Sequence, residues 1–336
     1  MVSLNDLKGK LAERQKIVIT THYKPDGDAL GSSLALYHWL TKHEHDVALI
    51  VPSDYPSFLF WMPGHEDVII YTSHKDKSNT LIEQADIIFC LDFNHLSRIQ
   101  LMEDVVRKSP ALKVMIDHHI APEDFDDARL WDCKAAATAQ LVYDFIVNHM
   151  NDRKGISADI ATSLYTGIMT DTGSFRFPST TAEVHLITAD LITLGAQNWK
   201  IHEHVFNSST ESRLKFLGFC LLNRLEVIPE YNTAIFAIGA EDLKQFNVTT
   251  GDTEGLVNYA LTVSGIRLAA LIIDRTERIK LSLRSVGDIP CNQICSRFFD
   301  GGGHKNAAGG HSTKSLSEVV ETFKSILPEY KNLLTI

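Results

Sequence analysis

No apolar run in this 336-residue chain approaches the ~18 residues that a membrane-spanning helix needs, so no such helix is expected. The opening stretch, MVSLNDLKGKLAERQK, lacks the apolar core of a secretory signal; a short amphipathic helix is expected there. Cysteine is scarce. Cys90, Cys133, Cys220, Cys291 and Cys295 are odd in number, scattered and mostly in apolar contexts. That argues against a disulfide framework and for reduced thiols in the cytoplasm. Cys291 and Cys295, four apart, suit helix packing better than a metal pair. Positive charge is not in surplus: 32 Lys and Arg against 42 Asp and Glu leave a net charge of −10. Binding of a long duplex through a broad basic face is therefore not expected. A small phosphorylated substrate stays possible if metals supply the positive charge. No Pro/Gly/Ser-rich linker is apparent, so any domain joint is expected to be stiff. There is no internal repeat.

What is present is an ordinary globular composition, 44% apolar and 22% charged, long enough for two domains. Many of the fifteen histidines lie on surface segments and need no function. The first half alternates strand and helix. Ile17 to Ile19 reads as a buried strand, followed by His22, Lys24-Pro25, Asp26 and Asp28, and then a helix with Leu30, Leu34, Leu36, Trp39 and Leu40 on apolar spacing. Val47 to Val51, Val68 to Tyr71, Asp86 to Asp92 and Leu112 to Ile116 read as further strands, and His95 to Lys108 has helical spacing. This pattern calls for a mostly parallel sheet with helices on both faces. In such sheets ligands bind outside the carboxyl ends of the strands. Three predicted strands lead there into His22/Asp26/Asp28, Asp92 and Asp117-His118-His119, so the three clusters should meet at one edge.

Ala135 to Met150 and Ala158 to Thr170 read as helices, the second leading into Asp171. Thr181 to Leu194, Trp199 to Phe206 and Glu211 to Leu225 are helical by pattern, with no buried strand between them. A second, smaller α/β unit starts near Glu226. It has a strand at Thr233 to Ile238, a helix at Asp252 to Thr262 and paired strands at Arg267 to Asp274 and Ile279 to Ser285. A helical segment from Pro290 to Phe298, the run GGGHKNAAGG (301–310) and a last helix from Leu316 follow. The expected fold class is α/β, with domains at 1–180 and 226–336 and a helical connector at 181–225.

Asp26 and Asp28, two apart on extended chain, point to opposite sides of it and could serve two neighbouring metals. Alone, the segment reads equally as a polar loop with an aspartate helix cap. Asp171 alone reads more readily as an Asp-Gly turn. Together with Asp92, Asp117, His118 and His119 these groups would repel and desolvate one another without counter-charge. Divalent metals such as Mn²⁺, which accept carboxylate and imidazole ligands, resolve that cost. A two-metal site, with ions roughly 3.5–4 Å apart clamping a phosphoryl transfer, is the expected result. Zinc is less favoured because no thiolate joins the set. The glycine run is not a P-loop, since no Ser or Thr follows Lys305. Three glycines do allow close backbone approach to a ligand, with donors from His304 and Lys305 and with Arg284 upstream. A flexible surface loop is the alternative.

These residues resemble the DHH phosphoesterase superfamily, named for the triplet that stands here as Asp117-His118-His119. His22-x-x-x-Asp26-x-Asp28-Ala29-x-Gly31-Ser32 is similar to its first motif, Asp92 with Arg98 to its second, and Asp171 in TDTGSF to its fourth. EGLVNYA (254–260), SLRSVGD (282–288) and GGGHKNAAGG look like the DHH-associated substrate domain, so the likeness spans nearly the whole chain. The resemblance implies a phosphoesterase of very short oligoribonucleotides and of 3′-phosphoadenosine-5′-phosphate (pAp). A soluble phosphodiesterase for cyclic dinucleotides or linear pApA is the alternative, and a silent nucleotide-binding regulator a distant one. It further implies two Mn²⁺ ions, with Mg²⁺ or Co²⁺ as substitutes. One would be held by His22, Asp26 and Asp92, the other by Asp28, Asp92, His118 and Asp171, and a bridging hydroxide would attack phosphorus in line. His119 would face the reacting phosphate, Asp117 would orient a histidine, and Arg98, Arg284, Gly302, Gly303 and His304 would hold substrate between the domains. A homodimer without a membrane partner is expected. One departure stands out: the family's Ser/Thr-rich stretch ending in Glu is Ala135-Ala136-Ala137-Thr138-Ala139-Gln140 here, which puts the support of the metal-binding side chains in doubt.

Overall fold

Five of the six residues of β1 (Lys16–Thr21) are β-branched, and all five are buried. Such side chains are stiff at χ1 and pack well on a pleated surface covered on both sides. In the computed structural model, which describes residues 2–335, β1 forms the middle of a parallel sheet. Its other strands are β2 (Asp46–Val51), β3 (Ile69–Ile70), β4 (Ile87–Leu91), β5 (Leu112–Asp117) and β6 (Ala128–Trp131), in the order β3-β2-β1-β4-β5-β6. The helices of this first unit, which ends at Ser208, are α1 (Leu4–Lys10), α2 (Gly27–Lys42), α3 (Lys75–Glu83), α4 (Glu103–Lys108), α5 (Thr138–Asp144), α6 (Ala158–Asp171), α7 (Ala182–Thr193) and α8 (Asn198–Phe206).

Alternation along the strands sorts the core into two layers. Ile17, Ile19, Phe89, Leu91, Val114 and Ile116 pack with α2, α5, α6 and α7. Val18, Ile88 and Cys90 pack on the other side with Ile82, Leu96, Ile99, Met102 and Val106. The strand order reverses at β1, which pairs with β2 on one side and β4 on the other. A crevice opens at such a reversal beyond the carboxyl ends of the strands.

Two helices of the first layer touch through glycine. A Cβ on Gly31 of α2 would lie 2.6 Å from the Ser163 carbonyl oxygen, and one on Gly167 of α6 would lie 2.9 Å from Asp28 Oδ1. This close approach draws the start of α2 and the end of α6 to the same place.

The second unit begins at Ser209 and comprises α9 (Glu211–Asn223), β7 (Leu225–Ile228), β8 (Thr233–Ile238), α10 (Ala240–Gln245), α11 (Leu256–Ala260), β9 (Leu268–Asp274), β10 (Ile279–Ser285), α12 (Cys291–Phe298), β11 (Gly302–His304), β12 (Ala307–Ser312), α13 (Leu316–Ile326) and α14 (Lys331–Leu334). Its sheet runs β11-β12-β10-β9-β8-β7; β8 and β9 are parallel and the other pairs antiparallel. Of the three helices over 181–225, α7 and α8 lie in the first unit and α9 in the second. Cys291 and Cys295 are buried on α12 in the core of the second unit. Among the described residues no helix is long and apolar enough to cross a membrane.

Among the departures of the structure from the sequence pattern, three lie close to candidate site residues. β6 has no strand pattern in the sequence, because only Ala128 of its four residues is buried. The helix expected from Ala135 starts at Thr138, since Ala137 is extended (φ −163°). The glycine run forms a hairpin, β11 and β12, turning at Lys305-Asn306. Asn306 Nδ2 anchors that turn on Ser285 Oγ at 2.8 Å. Gly303 has φ +134°, and a Cβ there would sit 2.7 Å from the Ala307 carbonyl oxygen, so a side chain would strain the hairpin.

Candidate active site

Strand register builds the site. Thr21 pairs with Leu91, and Leu91 with Ile116. The residues that follow, His22, Asp92 and Asp117, therefore form a row at the crevice. Asp92 takes a left-handed conformation (φ +64°), which is costly for a residue other than glycine and collects at functional sites. Asp26 is the N-cap of α2: its Oδ1 accepts from the backbone N–H of Asp28 and Ala29, at 3.0 and 3.1 Å. Its Oδ2 faces His22 Nε2 at 3.9 Å.

Asp92 faces two ways. Its Oδ2 lies 3.5 Å from His22 Nε2 and its Oδ1 3.6 Å from His118 Nε2. His118 Nε2 is also 3.5 Å from Asp171 Oδ2, at the end of α6, and 3.9 Å from Asp28 Oδ2. Ligand atoms of His22, Asp26 and Asp92 lie within 4.8 Å of one another, and so do those of Asp28, Asp92 and His118. Both histidines have a fixed tautomer in their neutral form. His22 Nδ1 lies 3.0 Å from the Tyr23 carbonyl oxygen and His118 Nδ1 3.1 Å from that of Ala135. A carbonyl accepts only, so each Nδ1 carries the hydrogen and each Nε2 lone pair points at carboxylate oxygens. Lone pairs aimed at buried carboxylates repel unless a cation lies between them. The donor set therefore fits divalent ions.

Electrostatics carry the same signature. Burial, with the charges of Asp92 and Asp171, holds the Asp28 carboxyl well above its usual range, although His118 opposes this. Burial also works against ionised Asp92, but its hydrogen bond to His22 and the charges of His119, His22 and His118 prevail and lower it. Burial resists the imidazolium forms of His22 and His118; neighbouring carboxylates outweigh it and raise both.

His119 differs. Its Nδ1 donates to Asp117 Oδ1 at 2.8 Å, and Asp117 is fully buried. Burial and the positive charge of Arg98 push its pKa down, against the pull of Asp117 and Asp92. The neutral ring thus keeps its lone pair on Nε2. Arg98 sits in a 3₁₀ stretch, Leu96–Met102, and its carbonyl accepts from the Tyr23 N–H at 2.8 Å. The chain after Asp171 turns through three consecutive left-handed residues, Gly173, Ser174 and Phe175. Ser174 Oγ bonds His202 Nε2 of α8 at 3.0 Å, which pins that turn.

Thr138 escaped the sequence reading. Its hydroxyl donates to Asp92 Oδ1 at 2.9 Å and its N–H to Asp28 Oδ2 at 2.6 Å; the Ala139 N–H reaches Asp28 Oδ1 at 2.9 Å. The N-terminus of α5 thus holds two carboxylates in place. The only signal was a lone hydroxyl after an alanine run. Gln140 Oε1 accepts from the Ala136 N–H at 2.8 Å, a turn-closing role that glutamine fills as well as glutamate. Thr138→Val is expected to weaken Mn²⁺ binding about tenfold in a calorimetric titration, and Thr138→Ser to hold it within about twofold. Unchanged affinity in the valine variant would mean that Asp92 is oriented without this hydroxyl.

In the second unit, Arg284 on β10 and His304 on β11 both pair with Ala307 of β12, so they flank one position on neighbouring strands. Gly302 and Gly303 lie on the same short strand as His304.

A carboxylate–imidazole cluster of this kind, at the reversal point of a parallel sheet, serves hydrolysis of phosphate esters through bound divalent ions. The fold and site thereby define the class as metal-dependent phosphoesterases. The chain belongs to the DHH family: the DHH family, N-terminal domain, matches residues 16–168, and the DHHA1 domain matches residues 232–330. The bifunctional oligoribonuclease and PAP phosphatase NrnA of Thermus thermophilus is 30% identical over 95% of this chain and 90% of its own length. The crystal structure of an exopolyphosphatase-related protein from Bacteroides fragilis superposes with a TM-score of 0.93 at 41% identity, covering 99% of this chain and 98% of the other. RecJ from Thermus thermophilus, solved with Mn²⁺, shares the fold at a TM-score of 0.56 and 13% identity, over 98% of this chain and 54% of its own.

Proposed function

We propose that the protein hydrolyses very short oligoribonucleotides and pAp in the cytoplasm, with two Mn²⁺ ions. Asp92 carries this reading: its two oxygens address two separate donor sets. His22, Asp26 and Asp92 would hold one ion; Asp28, Asp92, His118 and Asp171 would hold the other. When bound, such a pair supplies positive charge to the phosphate, acidifies water and clamps the attacking and leaving oxygens. The chain's own residues do the rest. His119 takes a proton from water at Nε2, Asp117 stabilises the imidazolium that results, and the proton then passes to the leaving oxygen. Arg98 meets phosphate oxygens as a bidentate donor. Arg284 and His304, with the close backbone approach that Gly302 and Gly303 allow, hold a further phosphate of the substrate. The similarity to NrnA of Thermus thermophilus supports the choice of substrates.

The test is direct. Purified protein with Mn²⁺ is incubated separately with pAp, a dinucleotide, a ten-mer and cyclic di-AMP, and the products are resolved. Turnover of pAp and the dinucleotide well ahead of the others is expected. A strong preference for the ten-mer would sink the short-RNA reading, a preference for cyclic di-AMP would move the activity to cyclic dinucleotides, and no turnover at all would remove the enzymatic reading.

A further inference from the structure

Trp131 is the last residue of β6, in register with Asp117 of β5. Its indole Nε1–H donates to the His119 carbonyl oxygen at 2.6 Å, yet the residue is 38% exposed. The contrast with Trp39 is instructive: its indole is also tied down, to Asp152 at 3.1 Å, but only 4% of it is exposed. Trp39 is a core residue held by a polar handle, the usual fate of tryptophan in a fold. Trp131 has the handle without the burial, and its handle is the backbone of the residue whose ring completes the site.

We infer that Trp131 is the stacking platform for the substrate's base, and so selects a nucleotide over a bare sugar phosphate. Two observations converge on His119: its ring bonds Asp117, and its carbonyl anchors Trp131. A phosphate drawn to Arg98 and His119 brings its attached nucleoside within reach of a side chain one hydrogen bond away. Every base presents a π-face, so stacking binds nucleotides without reading sequence. An indole already fixed at its N–H loses little freedom when a base settles on it. The inference rests on the reading of the substrate as a nucleotide.

The test compares binding of AMP and ribose 5-phosphate to the Mn²⁺-loaded protein by calorimetry, in wild type, Trp131→Ala and Trp131→Phe. The alanine variant is expected to weaken AMP roughly tenfold while ribose 5-phosphate shifts less than about twofold. Phenylalanine keeps a ring but no N–H, and is expected to stay within about threefold of wild type for AMP. Unchanged AMP binding in Trp131→Ala would overturn the inference. So would equal weakening of both ligands, or a phenylalanine variant as weak as alanine; either result assigns Trp131 to positioning His119 through its N–H. The two readings fail separately. Hydrolysis of pAp with a preference for AMP that Trp131→Ala leaves intact removes stacking alone. A preference that depends on Trp131 in a protein that hydrolyses no phosphate ester removes the enzymatic reading alone.

Discussion

Asp92→Asn is expected to lower kcat for pAp by at least about a thousandfold, some 4 kcal/mol of barrier, and to leave a stably folded protein. The carboxylate presents Oδ2 to His22 and Oδ1 to His118. Asparagine keeps one oxygen and replaces the other by NH₂, which cannot ligate a cation. One donor set then loses a ligand and both lose charge. The backbone is not the casualty, because asparagine tolerates the left-handed conformation at φ +64° better than other non-glycine residues. Without metal the variant is expected to unfold earlier than wild type. Despite burial, the folded state favours ionised Asp92 through its hydrogen bond to His22 and the charges of His119, His22 and His118, and asparagine carries no such charge. Steady-state kinetics with a Mn²⁺ titration check the first half, and a thermal melt of the chelated variant checks the second. Activity within about tenfold of wild type, with two ions bound, would deny Asp92 its shared role.

That prediction draws on features of unequal legibility. The strands leading to the crevice stand out because fully buried parallel strands are continuous apolar runs, and DIIFCLD can hardly be anything else. Their carboxyl ends could be placed at one edge by topology alone. Register could not. That Thr21, Leu91 and Ile116 lie side by side depends on inter-strand pairing, to which no local pattern commits. The tautomers of His22 and His118 were equally hidden, since carbonyls of Tyr23 and Ala135 set them. Thr138 was obscured by a boundary: apolar spacing carries a helix back to Ala135, whereas the helix starts at Thr138 and so turns its N–H and hydroxyl onto Asp28 and Asp92. The glycine run looks like a loop because glycine suits strands poorly; its pairing with β10 through β12 is a tertiary fact. β6 was too short and too exposed to announce itself, and Trp131 at its end went with it.

Removing divalent ions with a chelator near neutral pH is expected to abolish hydrolysis and to lower Tm by about 5–10 °C relative to saturating Mn²⁺. The second effect comes from linkage: ions at roughly a hundred times their Kd stabilise the folded state by about 2.7 kcal/mol. The pH dependence of the metal-free protein then reports the repulsion that the ions relieve. Burial, Asp92 and Asp171 raise the folded-state pKa of Asp28 above the ordinary 3.8. Over that window folded Asp28 keeps a proton that the unfolded chain has released. The resulting stability is fully present below 3.8 and is lost as pH rises through the folded value. The raised values of His22 and His118 act in the same direction above 6.5. Asp28→Asn isolates the carboxyl. It imposes an offset at every pH, because an amide can satisfy only one of the N–H groups of Thr138 and Ala139. On top of that offset, metal-free wild type is expected to lose ground to the variant as pH climbs from about 4 to about 8. Saturating Mn²⁺ should reverse the trend, since the ion takes Asp28 ionised. A wild-type-minus-variant Tm difference that stays flat with pH in the chelated protein would show that Asp28 is not held protonated by its neighbours, and would remove the electrostatic reason for a metal at that carboxylate.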